Sequence, residues 1–350
     1  MARSLATPTL CCILIMILTG LYGFVKFSHQ QDYEAQVNVT VNSEKALPTA
    51  TCQHGLGLEA KHHISVSNHH DGITNSTRLL VVYAYTESPN AKENLAFFLD
   101  NGLHGGADFI FVLNGRSDVA KLIPTKANIQ VVARPVRCSD LGVYGEVLRK
   151  GGQWNEYSHF IMLGSSAWGP FMPFSTHSCW TDVLLGRITK DVKLVGMTAN
   201  CLPKFHIQSM VLATDSIGMG LLLEDPSVLN THHGNQTIAF EGCYRDKKHV
   251  VQSEIKATAV IKKAGYKVDA LMAAFRKSED YEGDCAKNST EDAFWGETYD
   301  DTDIHPYETM FMEANRIIEP FSISQLAAWQ SPSANASWCN LCRPESIGAH

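Results

Sequence analysis

Leu79-Leu-Val-Val-Tyr-Ala-Tyr85 is apolar at every position. A strand with one wet face alternates polar and apolar residues; one that is apolar throughout has to be covered on both faces. Further strands are expected in Asp108-Phe-Ile-Phe-Val-Leu113, Asn128-Ile-Gln-Val-Val-Ala133, His159-Phe-Ile-Met-Leu163 and Lys193-Leu-Val-Gly-Met197, each carrying a run of mostly apolar residues. Between these runs lie helical patterns. Ser88-Pro89 supplies a start signal, Ala91, Leu95, Phe98 and Leu103 follow at helical spacing, and Gly102 stands near the end. A second helix is expected from Gly142 to Lys150, ended by Gly151-Gly152. Strands alternating with helices predict an α/β domain built on a mostly parallel sheet with helices on both faces. Ligands of such sheets sit beyond the carboxyl ends of the strands. Here those ends are Tyr85 to Glu87, Asn114-Gly115, Arg134 to Asp140 and Gly164-Ser165-Ser166.

Further along, helices are expected over His206–Leu223, Val250–Ala264 and Tyr307–Ile318, with a late edge strand in Gly265–Leu271. No internal repeat and no second-domain linker is visible.

The N-terminal part differs in kind. No charged residue occurs from Ser4 to Val25, and at about 1.5 Å per residue this stretch reaches roughly 33 Å, enough to cross a bilayer. It is expected to be an uncleaved signal-anchor helix with the N-terminus inside, the alternative being a cleaved signal peptide. Either way the rest of the chain is exported. Sequons at Asn38, Asn75, Asn235, Asn288 and Asn335 agree with a glycosylated secretory route. So do the eight cysteines beyond the anchor, an even number compatible with disulfides. Cys339 and Cys342 fit disulfide partners better than zinc ligands, and Cys11 and Cys12 fit apolar packing within the span.

The organisation expected is a cytoplasmic tip and anchor at 1–27, a polar stem at 28–77, an enzyme-like domain at 78–320 and a cysteine-containing tail at 321–350. The stem's His54, His62, His63, His69 and His70 lack a metal-ligand pattern and read as a solvated linker. A formal charge of −7, from 29 basic and 36 acidic residues, with no basic run, argues against a nucleic-acid partner.

No glycine-rich Gly-x-Gly-x-x-Gly follows the first strand. Walker, Gly-x-Ser-x-Gly and His-Glu-x-x-His motifs are missing as well. These absences count against dinucleotide oxidoreductases, P-loop enzymes, α/β-hydrolases and zincins. A sheet without a phosphate-binding glycine loop can bind a nucleotide through its strand-end loops. The usual aid is a divalent cation held by an acidic pair just after a buried strand. That place is occupied by Gly164-Ser165-Ser166, while Asp301-Thr302-Asp303 follows a polar loop and reads as solvated.

His159-Phe-Ile-Met-Leu-Gly-Ser-Ser-Ala-Trp-Gly-Pro-Phe-Met-Pro173 resembles the Asn-(Ser/Asp)-Ser-x-x-Gly-Pro element of rhamnan-synthesis F-like and related type A glycosyltransferases. Cys138-Ser-Asp-Leu-Gly-Val-Tyr144 is similar to the loop before that strand, and His206-Ile-Gln-Ser-Met210 to the family's His-x-Gln-Ser helix start. His305-Pro-Tyr-Glu-Thr-Met-Phe311 with Asn315-Arg316 is similar to its C-terminal block. Gly164 departs from the pattern, where Asn is more usual. The ordered set spans residues 78–318.

The resemblance implies a type A fold and transfer of a hexose or deoxyhexose from a nucleotide sugar to a glycan or glycoprotein hydroxyl, with Mn²⁺ or Mg²⁺ as an optional cofactor. Together with the Ser4–Val25 anchor, this gives the expectation of a type II membrane protein facing the Golgi or endoplasmic reticulum lumen. Thr86 and Glu87 would face the base or ribose, Asp140 and Tyr144 would lie nearby, and the Ser165 and Ser166 hydroxyls would approach the diphosphate. His206, His305 and Arg316 are candidates to offset the leaving charge, and Asp215 or Glu308 to deprotonate the acceptor. Structural alternatives stand beside these: His206 as a helix cap, Glu308 near a helix dipole, Arg316 in a surface pair. Trp168, Trp180 and Trp295 suit either sugar stacking or the core. The rival function is a catalytically silent glycan-binding or cell-surface interaction protein that keeps the fold.

Overall fold

The computed structural model describes residues 78–176, 178–223, 240, 242–243, 246–287, 292–299, 301–314, 316 and 321–330. All of them fall within one unit, Cys52–His350. The expected anchor, stem histidines, five sequons, Cys52, Cys339 and Cys342 lie outside the described residues. No helix among the described residues is long and apolar enough to cross a membrane.

Seven strands form the central sheet: β1 (Leu79–Tyr85), β2 (Asp108–Asn114), β3 (Ile129–Arg134), β4 (His159–Gly164), β6 (Val192–Gly196), β9 (Val211–Asp215) and β10 (Lys267–Ala270). Their order is β10-β6-β9-β4-β1-β2-β3. All pairings are parallel except those of β9, which runs antiparallel to both β4 and β6. Every residue of β1 is buried, as its unbroken apolar run requires, whereas β3 at the edge is half exposed. The chain builds β1, β2 and β3 outward, then returns past β1 to lay down β4. Right-handed crossovers therefore place α1 (Ala91–Asn101) and α2 (Asp140–Arg149) on opposite faces. The reversal leaves a crevice between the carboxyl ends of β1 and β4.

The first five predicted strands and the two helices between them appear within about two residues of expectation. Helix α1 begins at Ala91 rather than at Ser88. Asn90 precedes it and sends its side-chain amide to the Ala314 carbonyl at 2.8 Å, tying the start of α1 to the C-terminal block. Short strands and helices complete the fold: β5 (Ala167–Trp168), α3 (Trp180–Leu185), β7 (Ala199–Asn200), β8 (His206–Ile207) and α4 (Ser216–Leu223). After these come α5 (Lys247–Lys263), α6 (Ala273–Lys277), α7 (Tyr281–Lys287), α8 (Pro306–Thr309) and β11 (Met312–Glu313).

Two helical expectations are corrected. The segment His206–Leu223 is not one helix; it opens as β8, continues as β9 and becomes helical only at Ser216. Val211-Leu-Ala-Thr-Asp215 satisfies its backbone between β4 and β6, and a short apolar run carries no period that separates strand from helix. The helix expected over Tyr307–Ile318 stops at Thr309. Met310 takes a left-handed conformation (φ 63°), and Met312 then pairs with Trp168 in a two-stranded ribbon. The packed domain also runs past residue 320. Residues 321–330 are helical, and Gln330 accepts from Met172 N at 3.1 Å and donates to Pro170 O at 2.5 Å.

Tyr83, Phe98, Phe109, Phe111, Trp180 and Phe311 form the aromatic centre of the core. Trp180 is fully buried and donates to Gly102 O at 3.0 Å, so it is packing rather than a sugar platform. Disulfides join Cys138 to Cys243 and Cys201 to Cys285.

Candidate functional site

A cleft of about 830 Å³ opens at the crevice between β1 and β4. Its lining includes Thr86 and Ser88 after β1, Pro135 to Leu141 after β3, Ser165 and Ser166 after β4, and Ser209 and Val250 on the far wall. The loops are held by a hydrogen-bond frame. Ser165 Oγ donates to Thr86 O at 2.9 Å and accepts from Thr86 N at 3.1 Å, stapling the ends of β1 and β4. Asn94 of α1 donates to Ser165 O at 2.9 Å. Asn114, at the end of β2, donates to the Thr86 hydroxyl at 2.8 Å and to Cys138 O at 2.6 Å, and accepts from Cys138 N at 3.0 Å. Arg134 reaches Asn114 at 2.8 Å and pairs with Glu146. The disulfide at Cys138 fixes this loop to Cys243.

Asp140 opens α2 and turns its carboxyl towards the strand ends. The residue keeps partial exposure at the cleft, but a Cβ on Gly164 would fall on its Oδ2, so the carboxyl itself is tucked against the backbone of β4. Desolvation pushes this carboxyl up to about 7; Arg137 and the Thr86 hydroxyl hold it from rising further. The hydroxyls of Tyr83 and Tyr144 are buried without a protein partner among the described residues, and both feel the Asp140 charge. The glycine at 164 is what leaves room for this carboxylate.

Thr86, Asp140, Ser165 and Ser166 thus come together. Ser165 is committed to its staple, which leaves Ser166 as the serine hydroxyl at the strand end that faces the cleft. Tyr144 lies beneath, fully buried against Phe240. Glu87 sits to one side, accepting from Tyr85 and Ser117, each at 3.0 Å.

The remaining predicted residues stand outside the cleft lining. Asp215 is at the opposite end of the sheet, because β9 runs antiparallel to β4. There it pairs with Lys193 at 2.5 Å and accepts from Gly218 N at 2.9 Å at the start of α4. Glu308 accepts from Ala273 N at 2.5 Å and from the Tyr299 hydroxyl. His305 caps α8, its Nδ1 accepting from Tyr307 N. Arg316 pairs with Asp292 at 3.0 Å and Glu313 at 2.7 Å, over the Trp295 ring. His206 is buried behind Ser209. Trp168 packs against Phe97 and Phe171.

The cleft cation is Arg137, in the loop from Arg134 to Asp140 where nothing local distinguishes it from its neighbours. Ser209 belongs to His206-Ile-Gln-Ser-Met210, and Glu254 behind it carries no sequence signal. Among the described residues no cluster of three or more His, Cys, Asp or Glu forms a metal site.

No family model matches the chain, and no curated protein matches it. Among solved structures it is similar to the glycosyltransferase GlyE of Streptococcus pneumoniae TIGR4, at 7% identity and a TM-score of 0.38, over 75% of this chain and 63% of that one. It is also similar to a cytidylyltransferase from Leptospira borgpetersenii serovar Hardjo-bovis (strain JB197), at 13% identity and a TM-score of 0.26, over 41% of this chain and 62% of that one. The chain therefore spans less than two thirds of either structure. Similarity at this level is too low to carry function, which has to come from the cleft itself.

Proposed function

We propose that the chain is a nucleotide-sugar-dependent glycosyltransferase that moves a sugar to a glycan or glycoprotein hydroxyl. The observation that carries the reading is the Asp140 carboxyl, seated over Gly164 between the ends of β1 and β4 where a strand-end acidic pair would stand. It supplies one carboxylate at the switch point of a mostly parallel sheet, beside the Arg137 cation and the Ser166 hydroxyl. Mg²⁺ commonly takes one or two carboxylates and fills its remaining positions with substrate phosphates and water. Asp140 fits that role as a single protein ligand, and a bound cation would then offset charge on a donor diphosphate. Arg137 would take the same diphosphate from the side, and Thr86 would face the nucleoside.

Disulfides such as Cys138–Cys243 and Cys201–Cys285 support a lumenal site, since such bonds persist in oxidising compartments. On this reading the Ser4–Val25 segment tethers the domain to the Golgi or endoplasmic reticulum membrane as a type II protein.

Thermal shift of the purified lumenal domain against UDP-, GDP- and dTDP-sugars, with and without Mn²⁺ or Mg²⁺, tests the reading. A ligand at 100 times its Kd adds about 2.7 kcal/mol, about 5–10 °C for a domain of this size. One nucleotide class should give that shift. No shift with any donor, together with retention on a glycan array, would replace the transferase by a silent glycan-binding protein, the reading favoured by Gly164-Ser165-Ser166 standing where an acidic pair would follow the strand.

A further inference from the structure

The far wall of the cleft holds a second carboxylate, one residue deep. Ser209 lies on the loop between β8 and β9, next to Met210, whose carbonyl accepts from Gly164 N at 3.0 Å. It therefore stands across from the end of β4 and lines the cleft with Val250. One helical turn beyond Val250 on α5 is Glu254. Its Oε1 accepts from Ser209 N at 2.9 Å and from Ser209 Oγ at 2.7 Å. The serine proton is thereby directed to the carboxylate, and the oxygen's lone pairs are left for a group in the cleft. The Glu254 side chain is 12% exposed.

On its other side Glu254 Oε2 lies 3.6 Å from His206 Nε2. His206 is buried, and its Nδ1 lies 2.8 Å from Lys204 O, a contact that requires the proton on Nδ1. Among the described residues, Arg316, Asp292 and Glu313 are further ionisable groups on this side of Glu254. Arg316 is committed to the two neighbouring acids, and Asp292 also accepts from Gln208 at 3.0 Å. A tie between loop and helix needs only a polar acceptor. Here the acceptor is a nearly buried carboxylate whose hydroxyl partner faces the donor cleft.

We propose that Glu254 receives the acceptor proton through Ser209, with His206 as the positioning residue behind it; the proposal rests on the transferase reading. In the step, the acceptor hydroxyl gives its proton to Ser209 Oγ while the Ser209 proton passes to Glu254. The acceptor oxygen forms its bond to the sugar's anomeric carbon, and the bond from that carbon to the diphosphate oxygen breaks, the electron pair leaving with the nucleoside diphosphate. Glu254, now protonated, returns its proton to solvent as product departs. This assigns the role for which Asp215 and Glu308 are misplaced.

The test uses the full lumenal domain, the nucleotide sugars above and a panel of p-nitrophenyl glycosides as acceptors, reading nucleoside diphosphate release and donor binding separately. Glu254→Gln keeps an acceptor for the two Ser209 bonds. It is expected to lower kcat by about 100-fold or more and leave donor affinity and Tm near wild type; Glu254→Asp should recover part of the rate. Ser209→Ala should lower kcat by at least about tenfold, again without loss of donor binding. Transfer by Glu254→Gln within about threefold of wild type, or loss of donor binding together with transfer, overturns the role of Glu254. Unchanged turnover by Ser209→Ala overturns the relay. Wild-type protein that binds no donor overturns the transferase reading itself, and the relay with it.

Discussion

The two ends of the central sheet use the same kinds of residue for opposite purposes. At the amino ends of β1, β4 and β6, charges are answered by charges. Arg78 meets Asp108 at 2.6 Å with the Tyr157 hydroxyl donating to the same carboxylate at 3.1 Å, and the buried Lys193 meets Asp215 at 2.5 Å. Asp215 spends its second oxygen on Gly218 N. At the carboxyl ends, Asp140 has the Thr86 hydroxyl and the field of Arg137, and together these fall short of the cost of its burial, so its carboxyl titrates near 7. Partners that cancel a buried charge make architecture; a charge left short of partners marks a place where a ligand can supply them. Two half-buried aspartates about one sheet-length apart thus belong to different classes.

Substitution should separate those classes, and the largest effect is expected at the base. Asp215→Asn leaves the Lys193 ammonium, 6% exposed, without its counter-charge. A loss of about 3 kcal/mol in unfolding free energy is expected by urea titration, with donor binding by the folded fraction unchanged. Loss of binding at full stability would erase the distinction between the two ends.

Asp140→Asn should act with the opposite sign. Removing a carboxylate that burial disfavours is expected to raise Tm by about 2–5 °C at pH 8 while weakening nucleotide binding at least tenfold. The pH dependence follows from the direction of the shift. The unfolded chain releases this proton near 3.8 and the folded protein near 7, so the contribution to stability is full below about 4, falls as pH rises through 7, and is flat above. The Tm difference between wild type and Asp140→Asn, followed from pH 4 to 8, should trace that decline. A constant difference would mean that Asp140 is already fully compensated.

The smallest effect is expected from Gly164→Asn, which places a side chain where the Asp140 carboxyl lies. Nucleotide affinity by calorimetry should drop about three- to tenfold through displacement of that carboxyl, on the scale of one hydrogen bond. Unaltered affinity would show that the close approach of Gly164 and Asp140 is incidental.

Much of the cleft was legible before any coordinates. Thr86, Asp140, Ser165 and Ser166 follow strands rich in apolar residues, and such runs announce both their identity and where they end. Asn114-Gly115 was legible for the same reason, although nothing local said that Asn114 would bridge the loops after β1 and β3. Asp215 failed as a candidate because its strand reads as helix by composition, and only pairing with β4 and β6 fixes its direction. Reversing one strand sends its last residue to the other end of the sheet. Glu254 was invisible because a glutamate in a lysine-rich helix has the pattern of a solvated face, and it turns inward only because the β8–β9 loop presents Ser209 N and Oγ to it.

By itself the sequence determined that the chain holds a mostly parallel α/β sheet with a polar cleft at its strand ends, since unbroken apolar runs can be satisfied in no other way than burial on both faces. It also determined the contrast between that domain and the charge-free Ser4–Val25 segment. The tertiary structure decided which polar residues share a site. Hydrogen-bond partners, strand direction and the spacing between Gly164 and Asp140 are contacts between distant parts of the chain, and no local period encodes them. They commit Ser165 to a staple, send Asp215 to the base, and leave Asp140, Arg137 and Ser166 facing Ser209 across the cleft.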